Sequence, residues 1–192
     1  MRFKYRCVRA LHTTHFFQLN STLTPNLAPV AEALHIPAGV DRDEKYQQLT
    51  GQLKSLLSGE SDLVANAANF AALVHEAFGF HWVGFYWVKS EELVLGPFQG
   101  PIACTRIAKG KGVCGTAWMQ RKTIVVPDVE AFPGHIACSP LSKSEIVVPV
   151  RNKVGEVIGV LDIDSAVPND FSILDRNALE LWVRILEEAC HG

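Results

Sequence analysis

Three cysteines fall in one third of the chain, each inside a distinctive run of residues. Cys104 lies in GPIACTRI, Cys114 ten residues on in GKGVCGTAW, and Cys138 a further 24 on in HIACSPLSKSEIVVP. A thiolate is the working form of a catalytic cysteine, and nearby cations or a helix N-terminus favour it. Along the chain, Cys114 has Lys109, Lys111 and the start of a short helix beside it, while Cys138 has His135 and Lys143. Thiols so placed suit redox or nucleophilic chemistry. A metal site made from the same thiols and His135 is the rival reading. It is the weaker one, because neither CxxC nor HxxxH spacing occurs. Cys7 and Cys190 read as small buried hydrophobes or plain surface residues.

Carboxylates come next. In EVIGVLDID, Asp162 and Asp164 are two apart on an expected strand, so both point to one face. Two acids in an apolar strand need cations, donors or a shared proton if that face is buried. Glu145 opens the partner strand and can approach the same end. Acids crowded together push some of their pKa values up, and one can stay protonated near neutrality and donate a hydrogen bond. Trp82 and Tyr86 are four apart on another strand, on one face with Gly84 between them. That glycine is read as room for a ligand against the sheet.

These residues need a scaffold. Asp41 or Asp43 can cap a helix running to about Leu57, and Ser61-Asp62 starts a second that Gly79 closes. The period then changes to that of strands: 80–88 and 92–98, then 123–126. A turn at Gly110-Lys111-Gly112 precedes a short helix over 113–121. Residues 127–144 form a polar loop that carries Cys138. Strands over 145–150 and 156–164 make a hairpin through Asn152–Gly155. Asp170 or Ser172 caps a last helix with Leu174, Ala178, Leu181, Ile185 and Ala189 in line. This order predicts an α+β fold, an antiparallel sheet with helices packed on it, not a βαβ fold.

Composition bounds the rest. The chain has 192 residues, 48% of them hydrophobic and 20% charged, enough for one domain with a full core. A net charge of -2 with no basic surplus argues against nucleic acid as a partner. No apolar run reaches the roughly 18 residues that a membrane span requires. Five cysteines, an odd number, argue against a secreted disulfide framework, so a reducing cytoplasm is the expected compartment. Residues 1–40 read as an N-terminal extension, with 41–190 as the catalytic domain. Arg2, Lys4, Arg6 and Arg9 with no acid before Glu32 give the extension a weak likeness to an organellar transit segment.

From about Tyr46 to Ala189 the sequence resembles the free methionine-(R)-sulfoxide reductases, stand-alone GAF domains. The runs that carry the resemblance are WVGFY at 82–86, LVLGPFQGPIACTRI at 93–107, GKGVCGTAW at 110–118, HIACSPLSKSEIVVPV at 135–150 and IGVLDIDS at 158–165. It implies a GAF fold with a central antiparallel sheet of about six strands. It further implies that Cys138 attacks the sulfoxide sulfur, that Cys104 resolves, and that Cys114 is the auxiliary or alternative partner. Glu145, Asp162 and Asp164 would bind the substrate ammonium and polarise the sulfoxide. Trp82 and Tyr86 would wall the pocket around its methyl-sulfur end. The implied activity is thiol-dependent reduction of free L-methionine (R)-S-oxide through a sulfenic acid and an intramolecular disulfide. No bound cofactor or metal is implied. Thioredoxin, fed by NADPH, is the implied external reductant, and a homodimer is one assembly open to the chain. Two alternatives belong to other classes: a small-molecule-sensing GAF module without turnover, and a metal-binding redox sensor.

Overall fold

Two aspartates start the first two helices. Asp41 caps α1 (Arg42–Leu57) by accepting from the Glu44 amide, and Asp62 caps α2 (Leu63–Phe78) by accepting from the amides of Val64 and Ala65. Such caps satisfy backbone donors that a helix start leaves without partners. The computed structural model describes residues 34–36, 38–136 and 139–190. Most of the expected N-terminal extension, with Cys7, lies outside the described residues, and so does Cys138.

The strands are β1 (Trp82–Lys89), β2 (Glu92–Gln99), β3 (Arg106–Ala108), β4 (Ile124–Val126), β5 (Ser144–Arg151) and β6 (Val157–Ser165), with α3 (Gly112–Gln120) between β3 and β4. They form one six-stranded sheet in the order β3-β2-β1-β6-β5-β4, every pairing antiparallel. The expected α+β architecture is the observed one. Sequence reading missed β3, whose three residues are too few to show a period. The β1–β2 register shifts between Gly84 and Tyr86, where β2 carries Gly96-Pro97. A proline lacks the amide a ladder needs, and a bulge accommodates it.

Strand alternation divides the side chains between two cores. Val83, Phe85, Ile146, Val148, Leu161 and Ile163 face α1, α2 and the last helix, α4 (Ile173–Cys190). Phe70 meets Phe85 edge-on at 5.5 Å, and Tyr46 meets Trp182 the same way at 5.2 Å. The opposite face holds Trp82, Tyr86, Val147 and Val160 against Val113, Cys114 and Ala117 of α3. All the sequence-predicted site residues that are described belong to this second side.

The start of α4 ties the helical layer together. Ser172 caps it by accepting from the Leu174 amide, and Asp175 accepts in return from the Ser172 amide at 2.8 Å. Asp170, the other candidate cap, instead binds Arg42 at 2.8 Å and Ser165 at 2.5 Å. Asp175 is only 1% exposed and also accepts from the Tyr46 hydroxyl and the Arg42 guanidinium. Asp175→Ala strips a partner from a buried hydroxyl and a half-buried cation. The expected cost is ~2–4 kcal/mol, read as a lower urea midpoint with an unchanged slope. A loss below ~0.5 kcal/mol would show that Arg42 and Tyr46 find other partners.

Candidate active site

The site is built by strand register. Glu145 on β5 pairs with Asp164 on β6, and Asp164 pairs with Trp82 on β1. One step in, Asp162 lies between Val147 and Gly84. Directly paired residues share a face, so Glu145, Asp162, Asp164, Trp82 and Gly84 all point the same way. Helix α3 crosses above them and brings Cys114. Its approach is close because Gly115 sits against β3: a Cβ there would lie 2.3 Å from the Ala108 carbonyl oxygen. Together these groups line one pocket, with His135, Ile136, Ser139 and Ser142 from the loop before β5 and Pro101 to Ala103 from the segment after β2.

Inside the pocket the polar groups are crowded and dry. Glu145 is 6% exposed and Asp162 7%. The Cys114 thiol points to Glu145 Oε1 at 4.0 Å. Burial, then the neighbouring acids, raise both Glu145 and Asp162 well above the carboxylate range. They lie close enough to share a proton. Burial also lifts Asp164, to about 6, against the hydrogen bond it receives from Ser142. Near neutrality this describes a protonated Glu145–Asp162 pair beside a largely ionised Asp164. One oxygen of Asp162, Oδ1, is buried with no hydrogen-bond partner. Burial lowers the pKa of His135, whose Nε2 is 3.9 Å from Glu145 Oε2, so the imidazole is neutral there.

Two expectations, for the lysines beside Cys114 and for Gly84, change on contact with this geometry. Lys109 and Lys111 do not activate Cys114. Lys109 lies over the Trp118 ring at 4.8 Å, and burial with the acids pushes the Cys114 thiol up, not down. Lys143 pairs with Glu130 at 3.0 Å. Gly84 leaves no open space for a ligand. The Trp82 indole folds over it, and a Cβ at Gly84 would come within 2.4 Å of that ring and of Phe98 Cβ. The glycine therefore lets Trp82 lie flat, stacked on Phe98 at 5.4 Å and on Tyr86 at 5.9 Å.

The polar tips of the two aromatics have a job that sequence did not disclose. Trp82 Nε1 donates to the Pro101 carbonyl at 3.1 Å, and the Tyr86 hydroxyl donates to the Cys104 carbonyl at 3.0 Å. The wall of the pocket thus holds the segment that bears Cys104. Cys104 is disulfide-bonded, whereas Cys114 and Cys190 are free thiols. Sequence reading also missed Ser142, His81 and Ser139. The last two are joined at 3.0 Å next to the pocket, and lone serines and histidines carry no periodic signal. Among the described residues, a Cys114, Glu145 and Asp162 group has the donor types a metal ion would take.

The acid cluster has a consequence for stability. A carboxyl whose folded pKa is raised holds its proton more tightly than the unfolded chain does, so it weakens the fold as pH rises through the folded value. For Asp164 that window runs from the ordinary carboxylate range to about 6. Asp164→Asn is therefore expected to raise the melting temperature near pH 8 by ~2–4 °C, with the gain shrinking toward pH 4. A variant that melts lower at both pH values would show that the acids do not oppose folding.

Comparison with known proteins identifies relatives of this chain. Residues 62–189 match the family model described as GAF domain. The chain is 57% identical over 159 residues to GAF domain-containing protein A of Dictyostelium discoideum, covering 82% of this chain and 99% of that one. It is 44% identical over 150 residues to the free methionine-R-sulfoxide reductase of Escherichia coli, covering 78% and 90%. The X-ray structure of free methionine-R-sulfoxide reductase from Neisseria meningitidis in complex with its substrate superposes with a TM-score of 0.79 at 52% identity, covering 82% of this chain and 95% of that one. Matched so nearly end to end, this chain belongs to the GAF-domain family and, within it, to the free methionine-(R)-sulfoxide reductases.

Proposed function

We propose that this chain reduces free L-methionine (R)-S-oxide to L-methionine, with Cys138 as nucleophile. The observation that carries the reading is the buried cluster of Glu145, Asp162 and Asp164 beside Cys114. A sulfoxide is a poor electrophile until its oxygen is protonated or strongly hydrogen-bonded. The protonated Glu145–Asp162 pair supplies that hydrogen bond in a site largely cleared of water. Ionised Asp164, nearer the mouth, takes the ammonium group of a free amino acid. A peptide nitrogen brings no such charge.

The Cys138 thiol attacks the sulfoxide sulfur. The oxygen then passes from the substrate sulfur to the Cys138 sulfur as the substrate S–O bond and the transient S–S bond break, so methionine leaves and Cys138 is left as a sulfenic acid. The Cys104 thiol then displaces that oxygen as water and forms a disulfide, which protects Cys138 from further oxidation. An external dithiol returns two electrons and two protons by thiol exchange, and thioredoxin, kept reduced by NADPH, has the chemistry required. The disulfide at Cys104, against the free and buried thiol of Cys114, supports Cys104 as the resolving partner. Cys114 is left as the reserve thiol, its pKa held high by the acids around it.

Cys138→Ser is expected to abolish methionine release in a single turnover without reductant, with the far-ultraviolet spectrum unchanged. Cys104→Ser should keep that first release and lose efficient recycling, with Cys138 trapped as sulfenic acid or paired to Cys114 by mass spectrometry. Release at the normal rate by Cys138→Ser would remove it as nucleophile. A normal steady-state rate in Cys104→Ser would pass the resolving role to Cys114.

Acetylating the substrate nitrogen removes the charge that Asp164 reads. The expected loss is at least ~2–3 kcal/mol, tens to hundreds of fold in kcat/KM. Equal rates on N-acetylmethionine sulfoxide and the free amino acid would mean that the carboxylates do not recognise the ammonium.

A further inference from the structure

Cys114, Glu145 and Asp162 also form a donor set whose atom types suit a metal ion, apart from any part they take in reducing a sulfoxide. The Cys114 Sγ, a Glu145 oxygen and an Asp162 oxygen all lie within 4.8 Å of one another, and all three side chains are buried. A tetrahedral zinc ion, ~2.3 Å from sulfur and ~2.0 Å from oxygen, holds such atoms about 3.2–3.6 Å apart. Small side-chain rotations close that gap. The Oδ1 of Asp162 is a second, independent sign: it is buried, lines the pocket and accepts no hydrogen bond. An oxygen withdrawn from water and left without a partner is costly, and a cation satisfies it. His135 also lines the pocket, with its Nε2 3.9 Å from Glu145 Oε2, outside the three-residue donor set.

We infer that Cys114, Glu145 and Asp162 bind one zinc-class divalent cation in the substrate pocket, beside His135. A thiolate ligand selects zinc-like ions over magnesium or calcium, which prefer oxygen alone. Binding displaces the protons of the two carboxyls and the thiol, and the ion holds the three groups together in their charged forms. Because Cys114 is free while Cys104 is held in a disulfide, the site needs no reduction of that disulfide before it fills. It also differs from the metal set that sequence suggested: of the three cysteines there, it uses Cys114 alone. Occupied, it covers the two carboxyls expected to meet the sulfoxide oxygen, so metal and substrate compete. The binding itself rests on the cluster and not on the proposed reaction, whereas the competition does rest on that reaction.

The test is cobalt(II) titration of the full chain after chelator treatment, in a phosphine reductant. One equivalent should give tetrahedral visible bands and a near-ultraviolet thiolate charge-transfer band, both displaced by zinc. Cys114→Ser should lose the charge-transfer band and weaken zinc binding at least ~10-fold, and Asp162→Asn should weaken binding but keep the band. Circular dichroism checks the fold of each variant. A wild-type spectrum with no thiolate band, or a band that survives Cys114→Ser, overturns the site. Free methionine sulfoxide should displace cobalt from the wild type. If it does not, while metal-free protein still turns over, the ion sits elsewhere and the shared pocket is wrong. If cobalt binds as described and metal-free protein does not turn over, the metal site stands and the proposed reaction falls.

Discussion

Three carboxyls taken out of water on one sheet face cannot all carry charge, and the pocket is organised around that constraint. Register puts Glu145 opposite Asp164 and sets Asp162 one step deeper. Neither acid on β6 can turn away without moving the strand that pairs on both its edges. The electrostatic cost is therefore built into the sheet. Protonation relieves it, and so does an ammonium group or a metal ion. Each of these is a way of supplying positive charge to the same few oxygens, so acid catalysis, substrate choice and metal affinity are linked properties here.

The apolar side of the sheet is what makes such a cost tolerable. Stacked aromatics and aliphatic side chains from α1, α2 and α4 cover Val83, Phe85, Leu161 and Ile163 completely. The strands that hold the acids are thus anchored through the alternate residues of the same segments. Asp175, with Arg42 and Tyr46, does for the helical layer what register does for the sheet: it fixes geometry through a satisfied buried charge.

Much of this was legible in sequence, where the signal is local. The i, i+2 spacing of Asp162 and Asp164 was enough to put them on one face. The aspartate caps at Asp41 and Asp62 and the Asn152–Gly155 turn follow from short-range hydrogen bonding. What sequence hid was through-space. Lys109, near Cys114 in the chain, lies over Trp118, and buried acids dominate the surroundings of the thiol, so neighbourhood along the chain was a poor guide to its charge environment. Gly84 read as open space because the chain does not reveal that an indole four atoms wide would fold across it from Trp82. The carbonyls that Trp82 and Tyr86 hold are backbone groups, which no residue pattern advertises.

The two outermost strands, β3 and β4, are each three residues long. An exposed strand edge is a template on which other chains can add, and its reach grows with the number of free amides and carbonyls in a row. Here each rim offers barely one repeat of the ladder. Beyond β3, β2 carries Pro97, which has no amide to give. A protein handling oxidants must survive episodes in which its neighbours unfold and expose sticky strands. Among the described residues, the sheet therefore offers only three-residue outer strands at its two rims to any chain that would add to them.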